Sequence, residues 1–315
     1  MKGDLTVRKL LLSITLAVTV SVVTACLDSD EEDTERDVPE DERITDEDQH
    51  VEEDESEEAL SWITSSMEAM QQLDSFEVSM SAEQRNRRNI NTSYVHTETT
   101  QWVSKDPFAY HEIATMTDPN DEELERTFET YLHETEGFYI YEPNFETWMH
   151  MPDETLQSMN SLQNYQDEQQ LSILLDYIVE SSLSLEENDD GTITITAIGD
   201  TETVNEQGEQ ISDVLQGGFG LMMDDLQSLL TIQSLNYELT IDRESKYLES
   251  FSTSIELFIS PEQGAQIHAN QQLDLTYNRH NEIDPITIPD FVKEEAEPVQ
   301  IDTEAFQNMQ QEGTE

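Results

Sequence analysis

Three stretches near the C-terminal end decide the fold: Ser234–Asp242 (SLNYELTID), Tyr247–Ile259 (YLESFSTSIELFI) and Gly264–Asn278 (GAQIHANQQLDLTYN). Apolar and polar residues alternate in them, as in Leu235, Tyr237, Leu239 and Ile241. That period of two predicts strands with one buried face. Three long strands joined by short polar connections predict a large antiparallel sheet.

Working outward, the same pattern recurs upstream. Phe76, Val78, Met80 and Ala82 alternate with polar residues, and Ser93–Val103 and Phe108–Met116 read as strands around the turn Lys105-Asp106-Pro107. Thr127–His133 and Phe138–Tyr141 form a predicted hairpin through Glu134–Gly137, and Pro143-Asn144 leads into Thr147–His150. Leu183–Glu187 and Thr192–Ile198 form another around Asn188-Asp189-Asp190-Gly191, where Asp-Gly is a turn signal. Helices are predicted at Ala59, Ile63, Met67, Met70 and Leu73, with Ser56 as N-cap. Two more are expected, one in the region opened by Pro152 with a stripe Leu171, Leu174, Leu175, Ile178 and Val179, and one at Asn205–Leu215 before Gly217-Gly218. Pro285–Val292 reads as an extended closing segment. Residues 59–298 therefore predict a single α+β domain, with helices on one face of a mostly antiparallel sheet, and 299–315 a loose polar tail.

The N-terminal end is different. Lys2, Arg8 and Lys9 precede the apolar run Leu10–Val23, too short for a comfortable membrane span but suited to a signal-peptide core. Val23-Thr24-Ala25-Cys26 follows, and Cys26 is the single cysteine of the 315 residues. This segment resembles the lipobox of bacterial lipoproteins. The resemblance implies cleavage after residue 25 and a diacylglycerol on the Cys26 sulfur, with an uncleaved membrane anchor as the alternative. It places the rest of the chain on the extracytoplasmic face of a cell membrane, here expected to be Gram-positive. Residues 27–58 hold 19 acidic and 2 basic side chains, a composition that predicts a disordered tether between anchor and domain.

Charge excludes one class of function. The chain has 71 Asp+Glu against 14 Lys+Arg, a formal net of −57. Such a surface repels polyanions, so no nucleic-acid partner is expected. It also predicts a high-salt or high-pH habitat, where screening shortens the reach of self-repulsion; an ordinary acidic extracellular protein is the alternative.

No catalytic pattern emerges. The seven histidines lack zinc-protease spacing, no thiol remains once Cys26 is acylated, and there is neither a nucleophile elbow nor a phosphate-binding glycine loop. No metal site, cofactor or enzymatic activity is therefore expected. Two apolar clusters are candidate linings for a hydrophobic cavity: Phe138, Tyr139, Tyr141, Phe145, Trp148 and Met149, and the Met-containing stretch with Phe219, Met222 and Met223. Ordinary core packing is the alternative for both.

Leu73-Asp74-Ser75-Phe76, Gly137-Phe138-Tyr139-Ile140-Tyr141, Trp148-Met149-His150-Met151-Pro152 and Ile286-Thr287-Ile288-Pro289 together resemble bacterial lipoproteins of the DUF6612 type. More remotely, the layout is similar to LolA-, LppX- and LprG-like lipoprotein and lipid carriers. The resemblance implies an open half-barrel sheet with helices on its concave face and a hydrophobic cavity between them. The expectation is a non-catalytic, membrane-anchored module for a hydrophobic ligand such as a lipid; the alternative is a cell-envelope protein-interaction module with no small-molecule site. Protein partners are not named by the sequence.

Overall fold

The computed structural model describes residues 52–118, 121–152, 175, 178–179, 182–206, 230–260 and 266–299. Helix α1 (Glu52–Gln71) leads into strands β1 (Ser75–Arg88), β2 (Asn91–Lys105), β3 (Phe108–Asp118), β4 (Asp121–His133), β5 (Gly137–Glu142) and β6 (Thr147–His150). Then come β7 (Ser184–Glu187), β8 (Thr192–Ile198), the short helix α2 (Thr201–Glu206), β9 (Leu230–Asp242), β10 (Leu248–Ile259) and β11 (Ile267–Asn278). A short helix α3 (Asp290–Glu295) and the two-residue β12 (Glu297–Pro298) close the described chain.

All twelve described strands join one sheet, in the order β12-β6-β5-β4-β3-β2-β1-β11-β10-β9-β8-β7. Every pairing is antiparallel except β12 with β6. The two ends of the order do not meet, so the sheet is open, as the family resemblance implies.

Helix α1 sits on one face, termed here the inner face. Ala59, Ile63, Ser66 and Met70 recur at helical spacing and are all fully buried, so a stripe of mostly small or unbranched side chains meets the sheet. The helix has no basic residue in its last turn. Lys105 of β2 supplies the cation instead, its Nζ donating to the Met70 carbonyl at 2.9 Å, where the helix dipole is negative. At the other side Lys246, in the turn before β10, lies 3.3 Å from the centre of the Trp62 ring. Helix α2 also covers the inner face, through Val204 against Ile232, Leu235 and Ile255.

Several local expectations change. Helix α1 begins upstream of Ser56, so this residue is a buried position within the helix and not its cap. Strand β1 runs on past Ala82 to Arg88. Helix α2 starts earlier than Asn205 because Asp200 accepts from the N–H groups of Glu202 and Thr203, an N-cap that the apolar pattern does not reveal. Ile178 pairs with Gly199 as an isolated bridge, so the helical stripe expected there does not extend through it. The closing segment is not extended throughout. After Pro289 it forms α3, which packs on the outer face, opposite α1.

Candidate functional site

The strand registers assign each side chain to a face. On the inner face, one row runs Phe76, Val103, Tyr110, Leu132, Phe138 across β1 to β5. The next runs Tyr277, Val78, Gln101, Glu112, Thr130, Ile140, Met149. A third crosses nine strands as Leu185, Ile195, Leu239, Phe251, Leu275, Met80, Thr99, Ala114, Phe128. A fourth runs Ala197, Tyr237, Thr253, Leu273, Ala82, Thr97, Met116, Arg126. The outer face of β1 carries Glu77, Ser79, Ser81 and Glu83 in the intervening positions. This contrast is what a sheet with one apolar face requires.

Burial is graded along the strands. Phe76 and Val103 are fully buried, next to the C-terminal turn of α1. Two rows further on, Met80 is half-buried, and so are Ala82, Thr97, Met116 and Leu273 beyond it. The inner face is thus buried through most of its third row and partly open at Met80 and along the fourth. Leaving such side chains uncovered forgoes roughly 25 cal/mol for each Å² that remains wet.

A polar group interrupts this surface. Glu112, only 8% exposed, points inward between Tyr110 and Ala114 of the same strand. Its Oε2 accepts from Gln101 Nε2 at 3.1 Å, its sole hydrogen-bond partner among the described residues. Burial raises the carboxyl pKa to about 7, and the Gln101 bond only partly opposes that rise. Burial also raises Tyr110, with a further contribution from the Glu112 charge. Thr99 is 6% exposed, and its hydroxyl has no hydrogen-bond partner among the described residues. Buried polar atoms are satisfied in the great majority of cases, so an orphan beside a desolvated carboxyl calls for an explanation.

The structure divides the aromatic cluster expected to line one cavity. Phe138 and Met149 lie on the inner face, within the main core. Tyr139, Tyr141 and Trp148 point to the outer face, where Ile288 and Val292 of the closing segment cover them. There they extend a ladder of rings: Trp102 on His111 at 4.9 Å, His111 on Tyr131 at 4.1 Å, and Tyr131 against Trp148 at 5.8 Å. Tyr139 stacks on His150 at 4.5 Å, and Phe291 of α3 meets Trp148 edge-on. This is a packed outer seam and not part of the inner surface. Phe145 lies in the β5–β6 turn and is exposed. Phe219, Met222, Met223 and Cys26 lie outside the described residues.

Thr99, Gln101 and Glu112 are absent from the sequence-derived candidates. A signal for Glu112 exists: it falls in phase with Phe108, Tyr110, Ala114 and Met116, a carboxyl at an inward position of an otherwise apolar alternation. Among the described residues there is no cluster of three or more His, Cys, Asp or Glu able to hold a metal ion, and no helix long and apolar enough to cross a membrane.

The chain is similar in structure to the lipoprotein LppX of Mycobacterium tuberculosis, with 17% identity and a TM-score of 0.39 over 74% of this chain and 99% of LppX. It is similar also to LprF of Mycobacterium bovis, with 14% identity and a TM-score of 0.37 over 74% of this chain and 97% of LprF. None of the curated proteins matches the sequence. Residues 58–297 match the profile described as "Family of unknown function (DUF6612)". The chain, from the end of its acidic segment to its closing strand, belongs to the DUF6612 family.

Proposed function

We propose that this protein is a non-catalytic module that binds a hydrophobic ligand of acyl-chain type on its inner sheet face, while a lipid on Cys26 tethers it to the outer side of a cell membrane. The observation that carries the reading is the graded burial: Met80, Ala82, Met116 and Leu273 are on the core face of the sheet and still partly open. An acyl chain laid along these rows gains about 0.8 kcal/mol per methylene removed from water, before the cost of association. The four residues stand on β1, β3 and β11, which share the middle of the sheet with β2, so a linear ligand crosses neighbouring strands without meeting a sheet edge.

Photo-crosslinking of the full chain in membranes with a diazirine-bearing C16 acyl probe tests this. Labelled peptides are expected to come from β1, β2, β3 and β11, and Leu273→Trp should cut labelling about tenfold by filling the surface. Labelling confined to the outer face, or none that a competing acyl chain displaces, would sink the proposal. The anchor is tested separately: Cys26→Ser should release the chain from membranes, and unchanged retention would remove that part.

A further inference from the structure

Resting on the acyl-chain reading above, we propose that Thr99, Gln101 and Glu112 form a head-group subsite selecting an uncharged, hydroxyl-bearing amphiphile of the monoacylglycerol kind. Thr99 pairs across strands with Ala114, and Gln101 with Glu112, so Thr99 and Glu112 are diagonal neighbours on one face. Diagonal positions lie about 7–8 Å apart along the sheet, within the reach of a small polyol. Three functions converge there: among the described residues, a hydroxyl with no partner, a carboxyl with one, and an amide committed to that carboxyl. Both Thr99 and Glu112 are more than nine-tenths buried.

The surroundings set the chemistry of the head. Thr99 pairs with Met80 on one side and Ala114 on the other, while Glu112 pairs with Gln101 and Thr130. The polar group is therefore bordered by buried Val78 and Ala114 and by half-buried Met80 and Met116, an apolar frame of the kind an amphiphile needs. A fatty-acid carboxylate would bring a second anionic group to a buried acid, which like charge and desolvation both disfavour. A methyl ester carries no donor for Glu112 and leaves the carboxyl without its second bond. A glyceryl head supplies donors and acceptors to both residues and adds no charge.

The test uses the full chain in membranes, a diazirine-bearing acyl methyl ester as tracer, and four competitors of equal chain length. In the wild type, 1-palmitoylglycerol should compete about tenfold better than methyl palmitate, as one to two net hydrogen bonds provide. Palmitate should compete worse than 1-palmitoylglycerol. Thr99→Val keeps the side-chain shape and removes an unsatisfied hydroxyl, so the variant folds at least as stably as the wild type. In it, and in Glu112→Leu, the advantage of 1-palmitoylglycerol over methyl palmitate should fall below about threefold. Equal competition by the two neutral lipids in the wild type, or an undiminished advantage in Thr99→Val, overturns the subsite and leaves the acyl-chain reading standing. Better competition by hexadecylamine than by 1-palmitoylglycerol overturns the uncharged-head assignment. Absence of displaceable tracer labelling overturns the acyl-chain reading and the subsite with it.

Discussion

Glu112 links the inner face to pH. Its carboxyl titrates near 7 in the folded chain against an ordinary value of 4.5, so between those values the folded state holds a proton that the unfolded state has released. Stability is therefore highest below pH 4.5 for this group and is lost as pH rises through 7, by about 3 kcal/mol in all. Glu112→Gln should flatten that loss, so urea midpoints of the two proteins, compared from pH 5 to pH 8, should diverge with the variant the more stable at pH 8. Parallel curves would show that the carboxyl is better solvated than its position implies. A second residue-scale contrast involves two hairpin glycines. Gly137 has φ +112°, and a Cβ there would meet His150 Nε2 at 2.9 Å and Tyr139 at 3.1 Å. Gly191 has φ +93° with nothing within 4 Å. Gly137→Ala should cost about 2–3 kcal/mol and Gly191→Ala about 1 kcal/mol, since only the first adds a clash to the backbone strain; denaturant titration of both variants checks the order. At this scale the sequence was legible only in part. Alternation alone separates Phe138 from Tyr139, yet grouping aromatic residues by type hides the split. The meeting of Thr99, Gln101 and Glu112 depends on the register between β2 and β3, which no single strand encodes.

Among the elements, the long strands were the most legible, because period two persists over many residues in β9, β10 and β11. Helix α1 was legible for the same reason at its own period. Its contribution rests on few side chains: Ile63 is fully buried between helix and sheet. Ile63→Ala should lower stability by about 2–5 kcal/mol through the cavity it leaves, measured as a drop in urea midpoint with unchanged slope. A changed slope would instead mean that α1 has come away. The short closing elements α3 and β12 escaped prediction. Helix α3 has six residues, follows a segment with Pro285 and Pro289, and is held by contacts made far away in sequence. Val292 is buried against Tyr131, Tyr139 and Trp148, and Lys293 is salt-bridged to Glu136 in the β4–β5 turn. Tertiary packing, not local propensity, makes this segment helical, and hydropathy alone does not report it.

For the molecule as a whole, charge dominates. The net of −57 is spread over the chain, and the ion pairs formed by Arg243 with Glu187 and Arg279 with Glu77 sit on an exposed surface where each contributes little. Raising NaCl from 0.05 M to 1 M shortens the Debye length from over 10 Å to about 3 Å and should raise Tm by roughly 5 °C or more; a flat Tm would show that self-repulsion is not limiting. The topology has its own consequence. Strands β1 to β6 follow one another along one half of the sheet, and β7 to β11 along the other, so each half is built from chain neighbours. The halves join where β1 meets β11, with Glu77 opposite Asn278 and Arg88 opposite Ile267. During synthesis, the fourteen-residue β1 therefore waits with one bare edge until almost all the described chain has left the ribosome. A nascent chain stalled before residue 267 presents that edge to any other strand, and such fragments should self-associate where the finished protein does not.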